Sequence, residues 1–404
     1  MDEQQSPRPA GRVSRLSEIR RRRKRRRQLT VLASMLLVAA ILAGVAGVYG
    51  SAMVGLGDVL DSVRIWLQPG PGFPVHTGVR QVLSVQPVNG GFALLGTQDL
   101  QVYSDSGRQL RSIQHSYARP GLAAGGSHLC LYSRGGYELR VESRSQTLYT
   151  ASLPGSILLC DMSSNDSLAV LTTSTRGTAE LIVYDSRFRQ IYGWQMTESE
   201  GDPLVLAFAP DNRQLAVGAI RTQDGRLVSQ VHLLDTGSDY VTATYSATGS
   251  LLLAAEWLSN NRLLAVFDSF AVVLSSKGEE VARLDYSPGE EPMDVSVCGR
   301  TTALLLRENT VDESGRLLIL NDTLTALADF SLYGAEQVVC GRTAAYCMTN
   351  DSVHSYDFSG DLNWEHSSLS SPQALLVRGG KVMLFTSEKA ELLDSGNETG
   401  GASA

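Results

Sequence analysis

The 404-residue chain is poor in the side chains that carry chemistry. Its six His (76, 115, 128, 232, 354 and 366) include no pair at HxH or HExxH spacing, so they encode no recognisable metal site and read as strand-edge or loop residues. No GxSxG turn, no P-loop and no GxGxxG after a strand occurs, which excludes the common serine-hydrolase and nucleotide-binding signatures. Five Cys (130, 160, 298, 340 and 347), odd in number and irregular in spacing, make no disulfide framework. Cys160, Cys298 and Cys340 follow apolar runs and read as small buried hydrophobes. A bridge between Cys298 and Cys340 stays open, because they fall in neighbouring sequence units. The acidic pairs Glu279-Glu280 and Glu290-Glu291 sit in loop-like stretches and read as solvated. No catalytic, cofactor-binding or metal-binding residue is assigned, and no cofactor is expected.

Charge is missing from one stretch altogether. Residues 29–49 carry none over 21 positions, and only Gln28 separates them from eight consecutive basic residues, Arg20 to Arg27. About 20 apolar residues in a helix cross a hydrocarbon core of about 30 Å, and a flanking basic cluster favours the cytoplasm. The expected plan is a basic cytoplasmic tail (1–28), a transmembrane helix (29–50) and the bulk of the chain outside the cell membrane. A cleaved signal peptide is the competing reading, but its apolar core runs about 7–15 residues, shorter than this one. Residues 1–28 have a net charge of +8, so the remainder carries −15 of the chain's −7 total. That acidity argues against nucleic acid as a partner, which needs a positive footprint.

Past the span, Leu56, Val59, Leu60, Val63 and Leu67 share one helical face, which predicts a short amphipathic helix over 55–68. Pro69-Gly70-Pro71-Gly72 breaks it and reads as a hinge (69–72).

From residue 73 to about 394, helical periodicity gives way to repetition. A turn followed by an apolar run returns eight times, near Gly90, Gly126, Asp166, Asn212, Asn261, Gly299, Gly341 and Gly379, about every 40 residues. The unit from Leu83 resolves into Leu83–Val85, Phe92–Leu95, Leu100–Tyr103 and Gln109–Ile113, with Asn89-Gly90-Gly91 and Asp105-Ser106-Gly107 as turns. Four antiparallel strands in some 40 residues make one propeller blade. The predicted fold is all-β: an eight-bladed propeller over 73–394, with seven blades as the alternative. The last unit offers only three strands, and Phe73–Val79 is expected to supply the fourth and close the ring. A polar tail (395–404) completes the chain.

The stretch Phe208-Ala209-Pro210-Asp211-Asn212 with Leu215-Ala216-Val217 resembles the turn and strand of WD40-like and TolB-type blades. The stretch from Tyr356-Asp357 through Gly360 to Trp364 resembles the blade turn of PQQ-type quinoprotein repeats. The order of basic tail, span, amphipathic helix, Gly72-Phe73-Pro74-Val75 and propeller resembles a family of uncharacterised membrane-anchored bacterial β-propeller proteins. That resemblance implies a scaffold and carries no catalytic residues. With four Trp in the chain, the blade-stacking tryptophan of quinoproteins is absent from most units. The expected function is a membrane-tethered, non-catalytic binding or scaffold module for an envelope protein, peptide or glycan, held to membrane lipid by its anchor. The alternative is an extracytoplasmic hydrolase or lyase using channel-facing carboxylates.

Overall fold

The computed structural model describes residue 63 and residues 67–308, 314–368 and 370–393. The expected tail, span and C-terminal tail lie outside the described residues, as does the 55–68 helix except for Val63 and Leu67, both helical, and Gln68, which is not. Among the described residues no helix is long and apolar enough to cross a membrane.

Thirty-two strands among the described residues form eight separate four-stranded antiparallel sheets. Blade 1 consists of Val82–Val88, Gly91–Gly96, Asp99–Ser104 and Gln109–Gln114, paired in that order and containing the four segments expected from sequence. The apolar run after each repeated turn is a second strand. In blade 1 it is buried along its whole length, because a neighbouring blade packs on each face. The core is accordingly divided into eight clusters, one between each pair of adjacent blades.

The turn between third and fourth strands repeats a local device. Asp185 accepts backbone N–H bonds from Arg187 and Arg189 (2.9 and 3.0 Å), Asn321 from Thr323 and Thr325 (2.9 and 3.0 Å), and Asp357 from Ser359 and Asp361 (2.9 and 3.0 Å). Short polar side chains mimic a backbone turn in this way. The fourth residue of each turn has positive φ, which Gly360 meets freely and Phe188 and Leu324 meet without that freedom. The Asp357–Gly360 part of the quinoprotein-like sequence is this turn.

The eighth sheet closes the ring. Pro372–Arg378, Lys381–Thr386 and Lys389–Leu393 are completed by Val75–His76, with Val75 opposite Ala390 and His76 opposite Lys389. Thr77 N–H extends the pairing to the Glu388 carbonyl at 3.1 Å. The closing strand is thus two residues long, within the longer stretch expected. The first strands of all eight blades touch their neighbours in turn, including blade 8 against blade 1, and so surround a central channel.

Strand direction defines two faces. Turns between strands one and two, and between three and four, lie on one face, as the Asp105 N–H to Gly90 carbonyl bond (2.9 Å) requires. The chain arrives on this face, here called proximal. Gly72 N–H donates to the Ser106 carbonyl at 3.0 Å, Gly70 N–H to Ser106 Oγ at 2.8 Å, and Arg108 Nη1 to Gln68 Oε1 at 2.6 Å. The expected hinge is therefore bonded onto a blade 1 turn.

Candidate functional site

The channel wall is built from first strands, and seven of the eight carry an irregularity at the same place. The bulged residues are Leu83, Leu158, Leu204, Leu253, Met293, Glu336 and Gln373. A bulge leaves one residue unpaired and re-aims the side chains beyond it. Counting from it reveals a repeated contact between blades. Three residues past the bulge, a side-chain oxygen accepts the backbone N–H of the next blade's first strand. Asp161 Oδ2 takes Phe208 N–H (2.7 Å), Ser296 Oγ takes Cys340 N–H (3.0 Å), and Glu256 takes Val297 N–H. One residue past the bulge, Asp294 Oδ2 takes Val338 N–H (2.8 Å) and Gln337 Oε1 takes Leu375 N–H (3.0 Å). Gln373 joins the seam, accepting Val82 N–H at 2.8 Å and donating to the Arg80 carbonyl at 3.1 Å. These clasps satisfy edge N–H groups that the sheets leave unpaired.

Blade 4 has Ala207 at the position three past its bulge, and a cleft of about 300 Å³ opens there. Asp161 and Glu256 line it, with Met162, Phe208 and Trp257, and Trp257 Nε1 donates to the Ala207 carbonyl at 3.1 Å. Burial pushes Asp161 up to about 6, against the pull of the Phe208 and Met162 N–H groups. Burial, and then the charge of Asp294, push Glu256 up to about 7. Burial raises Asp294 as well. The cleft thus brings together two carboxyl groups that sequence inspection did not single out. Their signal, one acidic residue inside an apolar run, becomes readable only once the bulge is located.

A second cleft, of about 330 Å³, lies on the outer rim between blades 1 and 2, at the face opposite the incoming chain, called distal. His115 stacks on Tyr117 there with ring centroids 5.5 Å apart. Glu138 and Arg140 edge it. Arg140 is positioned by the fully buried Glu142 at 2.9 Å, which also holds Arg111 at 2.8 Å. Burial lowers the His115 pKa, so its ring is neutral at pH 7. A stacked aromatic pair edged by hydrogen-bonding groups suits a sugar ring or an extended peptide.

Other residues noted in the sequence have structural places. His128 stands at the edge of a strand, as expected, but is buried, and His232 is a buried residue inside a strand, not an edge or loop residue. His232 contacts Thr244 Oγ1 (3.0 Å) and the Glu200 carbonyl (3.1 Å). Glu290, expected in a solvated loop, is buried at the start of a first strand and paired with Arg316 at 3.0 Å. Its neighbour Glu291 is exposed, as are Glu279 and Glu280. All five Cys are free thiols, including Cys298 and Cys340 on adjacent first strands. Among the described residues no group of three His, Cys, Asp or Glu is placed to hold a metal ion.

Solved structures share the fold at low identity. The chain is similar to BamB from Moraxella catarrhalis, at 16% identity and TM-score 0.51 over 77% of this chain and 92% of that one. It is similar to the computationally designed Ika8 protein, at 13% identity and TM-score 0.59 over 79% and 98%. It is also similar to Saccharomyces cerevisiae Sqt1, at 10% identity and TM-score 0.56 over 81% and 100%. Identities this low speak to architecture alone. None of the curated proteins matches the chain in sequence. The chain belongs to the DUF5711 family, a family of unknown function, which it matches over residues 78–394.

Proposed function

We propose that this protein is a single-pass membrane-anchored, extracytoplasmic propeller that serves as a non-catalytic binding or scaffold module for an envelope protein, peptide or glycan. The clasp arrangement carries this reading. Asp161 and Glu256 occupy the place that Ser296 fills in blade 6, and Asp294 the place that Gln337 fills in blade 7. One position is filled by carboxylate or serine and the other by carboxylate or amide, so each serves to accept an N–H bond and not to carry out acid–base chemistry. The anchor rests on the uncharged residues 29–49 beside Arg20–Arg27. The rim cleft at His115 and Tyr117 is the best candidate for ligand contact.

One observation favours the alternative hydrolase or lyase: two raised carboxyls share a single cleft. Chemical crosslinking of the full chain in native membranes, followed by purification and mass spectrometry, separates the two. The binding reading expects a reproducible envelope partner, recovered equally with Glu256→Gln and lost with Tyr117→Ala together with Arg140→Ala. Capture that fails in parent and variants alike contradicts it.

A further inference from the structure

The fourth strand of each blade starts at the proximal face, on the outer edge of the ring. In blades 3, 5, 6 and 7 an exposed aliphatic residue stands within its first two positions: Ile191, Val281, Leu327 and Leu362, exposed by 48%, 39%, 45% and 52%. Ile191, Val281 and Leu327 are bulged out of the pairing with the third strand, which turns them away from the regular face. Blade 4 places Tyr240, 73% exposed, in the turn just before its own fourth strand. Five consecutive blades therefore present an apolar residue at one height along the proximal rim. The incoming chain is fixed on the other side of the same face, at blade 1 beside the seam. Exposed acidic residues stand at both ends: Asp239, Glu279, Glu280 and Asp361 flank the arc on the proximal rim, and Glu198, Asp202, Glu291 and Glu336 lie toward the distal end.

We propose that this arc seats on a lipid bilayer, so that the propeller lies with its proximal face against the membrane and its distal face outward. The proposal rests on the anchored reading above. Uncharged residues 29–49 end about 20 residues before Gly70, a stretch that spans roughly 30 Å if helical and about 70 Å at full extension. The tether confines the proximal face to the neighbourhood of whatever surface holds it. A protein partner would meet one continuous patch, whereas these residues are spaced blade by blade around a circumference. A plane meets all five together, and aliphatic and tyrosine side chains suit the interfacial region of a bilayer.

The test uses the full chain in zwitterionic phosphatidylcholine vesicles. Ile191→Cys, Leu327→Cys and Leu362→Cys are labelled with an environment-sensitive fluorophore, under conditions in which the unsubstituted chain takes up no label. Asp224→Cys, at the tip of the long blade 4 hairpin on the distal face, is the control. Vesicles carrying a nitroxide near the lipid headgroup should remove most of the emission from the three rim labels and leave the control unchanged. Flotation with the vesicles reports the anchor separately. A chain that floats while its rim labels behave like the control overturns the seating and leaves the anchor intact. A chain that does not float overturns both. Rim labels shielded equally in detergent, in a particle of twice the mass, would mean that a second copy covers the arc, and would also overturn the proposal.

Discussion

Phe92→Ala is expected to destabilise the protein by about 3–5 kcal/mol, the usual cost of emptying a buried aromatic site. Phe92 is 1% exposed and sits where three chain segments meet. Its ring stacks on Tyr103 (5.3 Å, 13°), meets Phe385 of blade 8 edge-on (5.2 Å, 70°) and lies 6.3 Å from Phe73 of the incoming chain. Removing it takes packing from blade 1, from blade 8 and from the strand that completes blade 8. Phe270→Ala is the comparison, since Phe270 stacks on Phe267 at 4.4 Å inside blade 5, away from the seam. Both variants should lower the midpoint of urea unfolding. Only Phe92→Ala should also accelerate hydrogen exchange at Val75–Thr77 under native conditions, because repeat arrays loosen first where an end is docked. Equal exchange at Val75–Thr77 in the two variants would mean that the seam is no weaker than any other interface.

The second large effect depends on pH. Glu256 titrates near 7 when folded and near 4.5 when unfolded, so between those values the folded state binds more protons than the unfolded state. Stability from this group is fully present below about 4.5 and is lost as pH rises through about 7. Asp161 has the same sign over the window from 3.8 to about 6. Glutamine keeps an acceptor for Val297 N–H and cannot ionise. Glu256→Gln should therefore match the parent near pH 4.5 and exceed it by about 1–3 kcal/mol at pH 8. Glu256→Ala removes the clasp and leaves that N–H unpaired, which costs about 1–3 kcal/mol at pH 4.5. At pH 8 the loss of a buried charge offsets part of that cost. Carboxylates of opposite sign act elsewhere: Asp329 is held below its usual range by Arg316. The variant-minus-parent difference across thermal melts isolates Glu256 from them. A Glu256→Gln variant less stable than the parent at pH 8 would mean that the ionised carboxylate is favoured in its site.

The blades were legible because second strands are buried on both faces. Two-sided burial produces uninterrupted apolar runs such as Phe92–Leu95, and the turns before them need Gly or Asn, so the repeat is written in hydropathy and turn chemistry together. Closure was legible from a deficit, three strands where four were due. The clasps were not legible. Asp161, Glu256 and Ser296 are single polar residues within apolar stretches, and their shared position is defined by a bulge that leaves no mark in the sequence. His232 and Glu290 were misread for a related reason. A polar side chain suggests solvent until its partner is known, and the partners, the Glu200 carbonyl and Arg316, lie 32 and 26 residues away. The rim cleft escaped for another reason. It combines a loop of blade 1 with the outer edge of blade 2, and no local pattern links His115 to Arg140.

The channel carboxylates Asp161, Glu256 and Asp294 clasp three of the junctions between neighbouring blades. Amide hydrogen exchange tests this most directly, at Phe208, Val297 and Val338, whose N–H groups end in Asp161, Glu256 and Asp294. These amides belong to first strands that line a channel. If the clasps form, all three exchange only through global unfolding, and Glu256→Ala accelerates Val297 selectively. Exchange of these amides in the native protein at the rate of open, unbonded backbone would mean that the clasps do not form.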